Sequence, residues 1–432
     1  METRIDLPYG SGSRTVTLPS AWVGEIARPR PVAPASDPAA VIAAALNNPI
    51  GSPPLAQLVR SGNRVAVLVD DHTRHTPVRQ MLPPVLQELH AAGVADEDIR
   101  IVIALGTHRP MTDAEMVAKL GADILGSYRV VNVPSTDERA MVFFGTSSSG
   151  IPVWVNRAVA EADVRIGLGA IVPHLEAGFT GGAKIVLPGV CGSRTVDAFH
   201  SLSVFIPENQ LGNVETPLRR RLEEFVSERV PLHFILNVVT TLEGAVYRCV
   251  AGDCIAAHRT GVEHARVVFG VPIQRRYPVV VADSYPYDID WWQSAKGVWA
   301  GDWMTADGGT LVIVTAAPEG NSNYPLVPAY TGRDPEQVRE EIRTGQAPDP
   351  KQASAGGMFG NLRRRIDFML ASDGLTQADA DAMRMPFYAS VEQAVAEAVL
   401  RLPESARAES IGILPHAGTV LPILSGLPVS GA

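Results

Sequence analysis

Residues 173–189 bring together, in one short stretch, residue types that can do chemistry. The stretch offers an imidazole at His174, then a glycine-rich loop, then an amine at Lys184. A histidine exchanges a proton near neutral pH, and a loop of permissive backbone beside a lysine can bind an anion. The stretch therefore predicts a site for proton transfer on an anionic ligand. The glycines of the loop are Gly178, Gly181 and Gly182.

The loop matches neither of the two common nucleotide-binding motifs. A P-loop has its lysine directly after a glycine, whereas Ala183 separates Gly182 from Lys184 here. The glycine spacing also differs from the dinucleotide fingerprint. Two interpretations stay open, an anion-binding cradle charged by Lys184 and a surface turn with a solvated lysine.

Polar side chains follow three apolar segments that read as buried strands. In an open α/β sheet, ligands bind at the carboxyl ends of the strands. These side chains are therefore expected to share one crevice. Asp71 and Arg74 follow residues 64–70, His108 follows residues 99–105, and His174 follows residues 163–169.

The order of the elements predicts the fold class. Residues 64–105 alternate strand, helix and strand, which predicts two parallel strands. Thr112 and Glu115 form a predicted capping box, and Pro83 and Pro84 place the start of the preceding regular helix near Leu82. A second α/β run begins after residue 270. We therefore expect two α/β domains with mainly parallel sheets, residues 1–270 and 271–432, with the active site in the interdomain cleft.

Composition excludes several classes of protein. The chain has 432 residues and a net charge of −9, with no basic block, so neither nucleic acid nor a membrane is an expected partner. No secretory signal is visible, and the three cysteines are too few for a disulfide framework. A cytoplasmic location is the expectation.

The assembled motifs resemble the lactate racemase family, whose enzymes use a nickel-pincer nucleotide. The matching stretches occur in the family's order and extend over most of the chain. They are residues 7–10, 71–74, 106–109, 173–184, 200 and 293–297.

The resemblance implies a cofactor, pyridinium-3,5-bisthiocarboxylic acid mononucleotide with nickel, which cofactor-biosynthesis enzymes would supply. It implies that His200 is the protein's nickel ligand and that His108 and His174 are the acid/base pair. In some members, the lysine that matches Lys184 is attached covalently to the cofactor. The other implied cofactor-binding residues are Asp71, Gly178, Thr180, Gly181 and Gly182, and the implied substrate-binding residues are Arg74, Gln293 and Lys296.

The chemistry of a 2-hydroxy acid agrees with these residue types. Inversion at C2 can proceed if a base takes the hydroxyl proton while the α-hydrogen leaves as a hydride and returns to the other face of a 2-oxo acid. Two histidines suit the two faces, and Arg74 and Lys296 suit the carboxylate. No side chain accepts a hydride, so a cofactor is required.

Two other functions remain open from the sequence. His108, His174 and His200 could form a three-histidine zinc site of a hydrolase, although no compact zinc motif is present. The glycine loop, Arg74 and Lys296 could instead form a non-catalytic site that binds anionic metabolites. A racemase or epimerase of 2-hydroxy acids is the leading interpretation.

Overall fold

The first sheet carries the predicted strand ends that bear His108 and His174. The computed structural model describes residues 1–321 and 324–425. Neighbouring strands in this sheet are parallel, except for one antiparallel pair at its edge. In spatial order, the six strands are Val246–Gly252, Phe234–Thr240, Val164–Ala170, Val65–Asp70, Ile99–Ala104 and Arg129–Val131.

The connections of the first sheet reverse direction at its centre. From Val65–Asp70 the chain continues to Ile99–Ala104 on one side, and Val164–Ala170 lies on the other side. Such a reversal leaves a crevice outside the carboxyl ends of the two central strands. The predicted site residues follow these strands directly, so the topology brings them to the same edge.

The second sheet is parallel throughout. Its first strand in the chain comes from the N-terminus, because Val23–Ile26 pairs with Ile411–Leu414. The other strands of this sheet lie beyond residue 270, where the sequence predicts a second domain. In spatial order, the six strands are Phe387–Tyr388, Asp367–Ser372, Thr305–Thr315, Tyr277–Asp283, Ile411–Leu414 and Val23–Ile26.

The remaining strands within the described residues form four small two-stranded sheets. Three are antiparallel, and the fourth, which joins Gly270–Ile273 to Leu421–Leu424, is parallel. The pairs are Glu2–Tyr9 with Gly12–Pro19, Pro173–His174 with Gly178–Phe179, Met141–Thr146 with Pro152–Asn156, and Gly270–Ile273 with Leu421–Leu424.

Helices cover both sheets, and one buried apolar cluster extends from the first sheet to the second. No helix within residues 1–321 and 324–425 has the length and apolar character needed to cross a membrane. The predicted α/β class with mainly parallel sheets is confirmed. The α-helices are Pro38–Asn47, Leu55–Leu58, Val78–Ala91, Asp113–Leu120, Ala122–Ser127, Arg157–Ala160, Ser193–His200, Pro217–Arg229, Ala256–Phe269, Trp291–Met304, Val327–Thr331, Pro335–Arg343, Pro350–Arg363, Gln377–Met383 and Val391–Leu400.

Two predictions about helix starts had opposite outcomes. The capping box of Thr112 and Glu115 is confirmed at the start of Asp113–Leu120. The start near Leu82 is wrong, because helix Val78–Ala91 contains both prolines. Each internal proline costs about 3 kcal/mol, whereas each of the six buried apolar side chains on this helix contributes about 1.5–3 kcal/mol. Burial of the apolar face therefore outweighs the loss of two backbone hydrogen bonds.

Candidate active site

The first six-stranded sheet with its helices is called the first unit, and the second with its helices and the N-terminal hairpin is called the second unit. A cavity of about 500 Å³ lies where loops of the two units meet. Residues that follow strands of the first sheet and residues that follow strands of the second sheet both line it. Ten of the twelve predicted site residues line this cavity, whereas Gly178 and Gly182 do not. The ten are Asp71, Arg74, His108, His174, Thr180, Gly181, Lys184, His200, Gln293 and Lys296.

The His108 imidazole is held by a buried carboxylate. Its Nδ1 lies 2.5 Å from Oδ2 of Asp71, and Thr73 donates two hydrogen bonds to the other oxygen of that carboxylate. Burial raises the pKa of Asp71, but the hydrogen bonds from His108 and Thr73 lower it further, so the carboxylate is ionised. Burial and the charge of Arg74 lower the pKa of His108. A neutral His108 thus donates Nδ1–H to Asp71 and keeps a lone pair on Nε2.

The His174 imidazole has the opposite tautomer. Its Nδ1 accepts hydrogen bonds from the backbone N–H of Glu176, at 3.1 Å, and of Ala177, at 3.4 Å. Burial and the charge of Lys184 move the pKa of His174 well below its usual range. The neutral ring therefore carries its proton on Nε2. The cavity thus contains one imidazole with a free acceptor and a second with a free donor.

The His200 imidazole is oriented by a second buried carboxylate. His200 ends helix Ser193–His200, and its Nδ1 lies 3.0 Å from Oε2 of Glu176. Ser203 donates a hydrogen bond of 2.5 Å to the same carboxylate. Burial raises the pKa of Glu176, but His200 and Ser203 lower it to about 2. This contact fixes the ring and leaves Nε2 open, as in the carboxylate–histidine pairs that support metal ligands.

Three basic side chains line the cavity without carboxylate partners. Within residues 1–321 and 324–425, none of Arg74, Lys184 and Lys296 forms an ion pair. Burial lowers the pKa of Lys184 to about 7 and moves the pKa of Lys296 well below its usual range, and Arg74 adds to both effects. These side chains are half-buried, and a bound anion would favour their charged forms, so this cluster favours an anionic ligand.

Two glycines of the loop, Gly178 and Gly182, pack against other parts of the protein and do not line the cavity. A Cβ atom at Gly178 would lie 1.8 Å from the carbonyl oxygen of Asn213, and φ at Gly178 is +73°. At Gly182 the backbone N–H donates to Oδ1 of Asn237 at 2.8 Å. These glycines are needed for close packing of the loop, which accounts for their absence from the cavity wall.

The Thr180 hydroxyl is also engaged within the loop. It donates to the carbonyl oxygen of Ala170 at 2.6 Å and accepts from the backbone N–H of Val172 at 3.0 Å. Thr180 and Gly181 therefore contribute to the cavity wall through their position, and Lys184 is the charged group that the loop presents.

Sequence reasoning missed two residues that organise the site. Glu176 lies within residues 173–189, and a carboxylate two residues after His174 was a usable signal. Arg219 is fully buried and donates to the carbonyl oxygens of Ala177, Phe179 and Gly181. Nothing near Arg219 in the sequence indicated this role, because its partners lie about 40 residues earlier.

The arrangement does not form a histidine cluster for zinc. Among the residues that the structure describes, no three His, Cys, Asp or Glu side chains are grouped so that they could hold a metal. His108, His174 and His200 each have a different partner on Nδ1, as described above.

Sequence comparison places these residues in a known family. Residues 9–212 match the family model of the lactate racemase N-terminal domain. Lactate racemase of Lactiplantibacillus plantarum is 36% identical over 279 residues, which is 64% of this chain and 65% of that protein, just under two thirds. Lactate racemase of Thermoanaerobacterium thermosaccharolyticum is 30% identical over 344 residues, 78% of this chain and 80% of that protein.

Solved structures give the same relationship at the level of the fold. The lactate racemase apoprotein of T. thermosaccharolyticum superposes with a TM-score of 0.84 at 27% identity, over 98% of this chain and all of that one. A protein from Thermotoga maritima shares the fold, with a TM-score of 0.64 at 20% identity over 86% of this chain and 96% of that one. The prediction of an enzyme of the isomerase class is confirmed by the named racemases, and the chain belongs to the lactate racemase family.

Proposed function

We propose that the protein inverts C2 of a 2-hydroxy acid, by reversible hydride transfer through a 2-oxo acid. The observation that carries the proposal is one cavity that holds two neutral histidines of opposite tautomer beside three basic side chains without carboxylate partners. Lactate, the substrate in the names of the relatives, is the first 2-hydroxy acid to test.

Arg74 and Lys296 would bind the substrate carboxylate. Arg74 approaches from the first unit and can form two parallel hydrogen bonds to a carboxylate. Lys296 approaches from the second unit, where its Nζ donates to Oε1 of Gln293 at 2.7 Å. Clamping the carboxylate from two sides fixes C2 between the units and places its two faces toward different walls.

His108 and His174 would exchange the hydroxyl proton. His108 offers a lone pair on Nε2, which can accept the proton of the 2-hydroxyl, while the Nδ1–H bond to Asp71 stabilises the imidazolium that forms. His174 offers a proton on Nε2, which can pass to the oxygen of the 2-oxo acid and leaves His174 deprotonated, while His108 holds the proton that it took. The opposite enantiomer reacts by the reverse sequence from these protonation states, or both rings return to the neutral form by proton exchange with solvent.

The residues present fit a nickel-pincer nucleotide. His200, oriented by Glu176, would be the metal ligand, because its Nε2 has no hydrogen-bond partner in the described part of the chain. When bound, this cofactor supplies the hydride acceptor that side chains lack. Lys184, with a pKa of about 7, has a neutral amine near physiological pH that can be acylated, which suits covalent attachment.

The partners follow from the same proposal. The protein would take a small 2-hydroxy acid as substrate and would receive its nickel nucleotide from cofactor-biosynthesis enzymes. The cytoplasmic location stays a prediction.

The experiment is a chiral assay of protein produced in a host that makes the nickel nucleotide. We expect nickel near one per chain and conversion of L-lactate or another 2-hydroxy acid to a mixture of enantiomers. His108→Ala and His174→Ala should lose activity by about 10²–10⁴-fold while they retain nickel. His90→Ala is the matched control, because His90 pairs with Asp96 on the surface.

The other functions predict different results. Zinc near one per chain with hydrolysis of an ester or amide would support the zinc hydrolase. Tight binding of carboxylates by the nickel-loaded protein, without exchange at C2, would support the non-catalytic binder. Full activity of both loaded histidine variants would contradict the two-base mechanism.

A further inference from the structure

The Lys296 ammonium lies over the face of an aromatic ring. Its Nζ is 3.5 Å from the centroid of the Tyr287 ring and 2.7 Å from Oε1 of Gln293. Gln293 and Lys296 are on helix Trp291–Met304, whereas Tyr287 belongs to the loop that follows strand Tyr277–Asp283. Two separate elements therefore converge on one ammonium group.

This surrounding is unusual for a half-buried lysine. No carboxylate among the described residues pairs with Lys296, although Asp290 and Asp71 act on it from a distance. The charges of Arg74 and Lys184 oppose protonation of Lys296. The charge of Lys296 in turn lowers the pKa of His108 and of His174. A ring face and an amide oxygen are thus its nearest favourable contacts.

An aromatic ring face and a carboxylate differ in whether they neutralise the charge of the lysine that they contact. A carboxylate partner would neutralise the lysine and compete with the carboxylate of a substrate. The negative face of an aromatic ring attracts an ammonium without bringing a counter-charge, so the positive charge stays available to an anion. The aromatic contact is therefore suited to a half-buried ammonium that has no carboxylate partner before the substrate binds.

We propose that Tyr287 is a positioning residue whose ring face holds the Lys296 ammonium ready for the substrate carboxylate. The proposal rests on the proposed function for the identity of the anion, and on the geometry alone for the contact between Tyr287 and Lys296. It predicts that the ring matters and that the phenol hydroxyl does not.

Two substitutions separate the ring from the hydroxyl. Tyr287→Leu removes the ring face, so we expect the KM for lactate, or for the 2-hydroxy acid that the enzyme converts, to rise about tenfold with a smaller change in kcat. Tyr287→Phe keeps the ring face and should behave as the wild type. Tyr287→Met is a second ring-free variant if the leucine variant does not fold.

A second readout is independent of activity. Acylation of Lys296 by acetic anhydride, followed across pH by mass spectrometry on the cofactor-loaded protein, reports when its amine becomes neutral. In the leucine and methionine variants the acylation curve should shift to lower pH, whereas in Tyr287→Phe it should not. Lys351, which pairs with Asp197 at 3.2 Å, serves as an internal reference.

The matched control is Tyr247→Leu. The ring of Tyr247 also carries a cation, Arg248, at 4.6 Å from its centroid, but Tyr247 does not line the cavity. We expect this variant to change neither the KM nor the Lys296 curve.

The outcomes distinguish the two proposals. If no 2-hydroxy acid is racemised but the Lys296 curve shifts in the ring-free variants alone, the proposed function fails and the role of Tyr287 stands. If racemisation occurs but ring-free variants retain the wild-type KM and acylation curve, the inference about Tyr287 is overturned. It is also overturned if Tyr287→Phe behaves like Tyr287→Leu.

Discussion

The three histidines of the site share one arrangement, in which Nδ1 is occupied and Nε2 is left free. Asp71 binds Nδ1 of His108, Glu176 binds Nδ1 of His200, and two backbone N–H groups bind Nδ1 of His174. The partner decides the role of each ring. An ionised carboxylate supports a proton acceptor or a metal ligand, whereas backbone N–H donors impose the tautomer that donates from Nε2.

Asp71→Asn should impair proton transfer by His108 and leave metal binding unchanged. The Asp71 charge favours protonated His108, so its removal lowers the pKa of His108 and withdraws support from the imidazolium. We expect kcat to fall by about 10²–10⁴-fold and the acidic limb of the pH–rate profile to move to lower pH. Metal content should stay at the wild-type value. An unchanged kcat in Asp71→Asn would contradict this role.

Replacing Glu176 by glutamine should act on the metal. Glu176 fixes the orientation of His200, and loss of such a contact typically costs 10–100-fold in metal affinity. We expect Glu176→Gln to release metal at about 10–100-fold lower chelator concentration than the wild type. Ser203→Ala removes one hydrogen bond to the carboxylate and leaves it charged, so its effect should be smaller. Retention equal to the wild type would show that Glu176 does not support a metal ligand.

At the scale of elements, a helix fixes the loop that presents Lys184. Arg219, near the start of helix Pro217–Arg229, binds three carbonyl oxygens of the loop, and its own charge lies 3.8 Å from Glu223. Burial lowers the pKa of Arg219 to about 10, so the guanidinium stays charged at neutral pH. The loop conformation therefore depends on a buried cation outside the loop.

Removing the Arg219 guanidinium should unfold the loop or the whole unit. Arg219→Met would leave three buried carbonyl groups without a donor and Glu223 with one cation fewer, so we expect a loss of about 3–5 kcal/mol in the free energy of unfolding. Chemical denaturation followed by circular dichroism measures it. Arg220→Met, one residue further at an exposed position, should change stability by less than about 0.5 kcal/mol. Equal stabilities of the two variants would contradict this account.

The sequence predicted those features that depend on local pattern. Buried strands, the capping box and the polar residues at strand ends follow from spacing, and they placed His108 and His174 in one cavity correctly. The contacts of the glycine loop could not be predicted, because Asn213, Asn237 and Arg219 reach it from distant parts of the chain. The two internal prolines were misleading for the same reason, since the burial that outweighs them belongs to the tertiary structure.

At the scale of the whole molecule, residues 2–26 belong to the same unit as the strands beyond residue 270. The hairpin of Glu2–Tyr9 and Gly12–Pro19 packs its apolar face on the second sheet, and Val23–Ile26 extends that sheet. Four hairpin side chains are at most 2% exposed, and together they contribute about 6–12 kcal/mol, which is comparable to the stability of a whole domain. The four are Ile5, Leu7, Val16 and Leu18.

A single substitution in the hairpin should therefore destabilise the unit that carries Lys296. Leu7→Ala leaves a cavity against the second sheet, so we expect a loss of about 2–5 kcal/mol. The loss should appear in the near-ultraviolet circular dichroism of the tryptophans on helix Trp291–Met304, more than 280 residues away in the chain. Asp6→Ala, at an exposed position beside it, should change stability by less than about 0.5 kcal/mol. If Leu7→Ala left the tryptophan signal and its unfolding midpoint unchanged, the N-terminal hairpin would not be part of the second unit. The N-terminus would then belong with the first domain, as the predicted boundary at residue 270 has it.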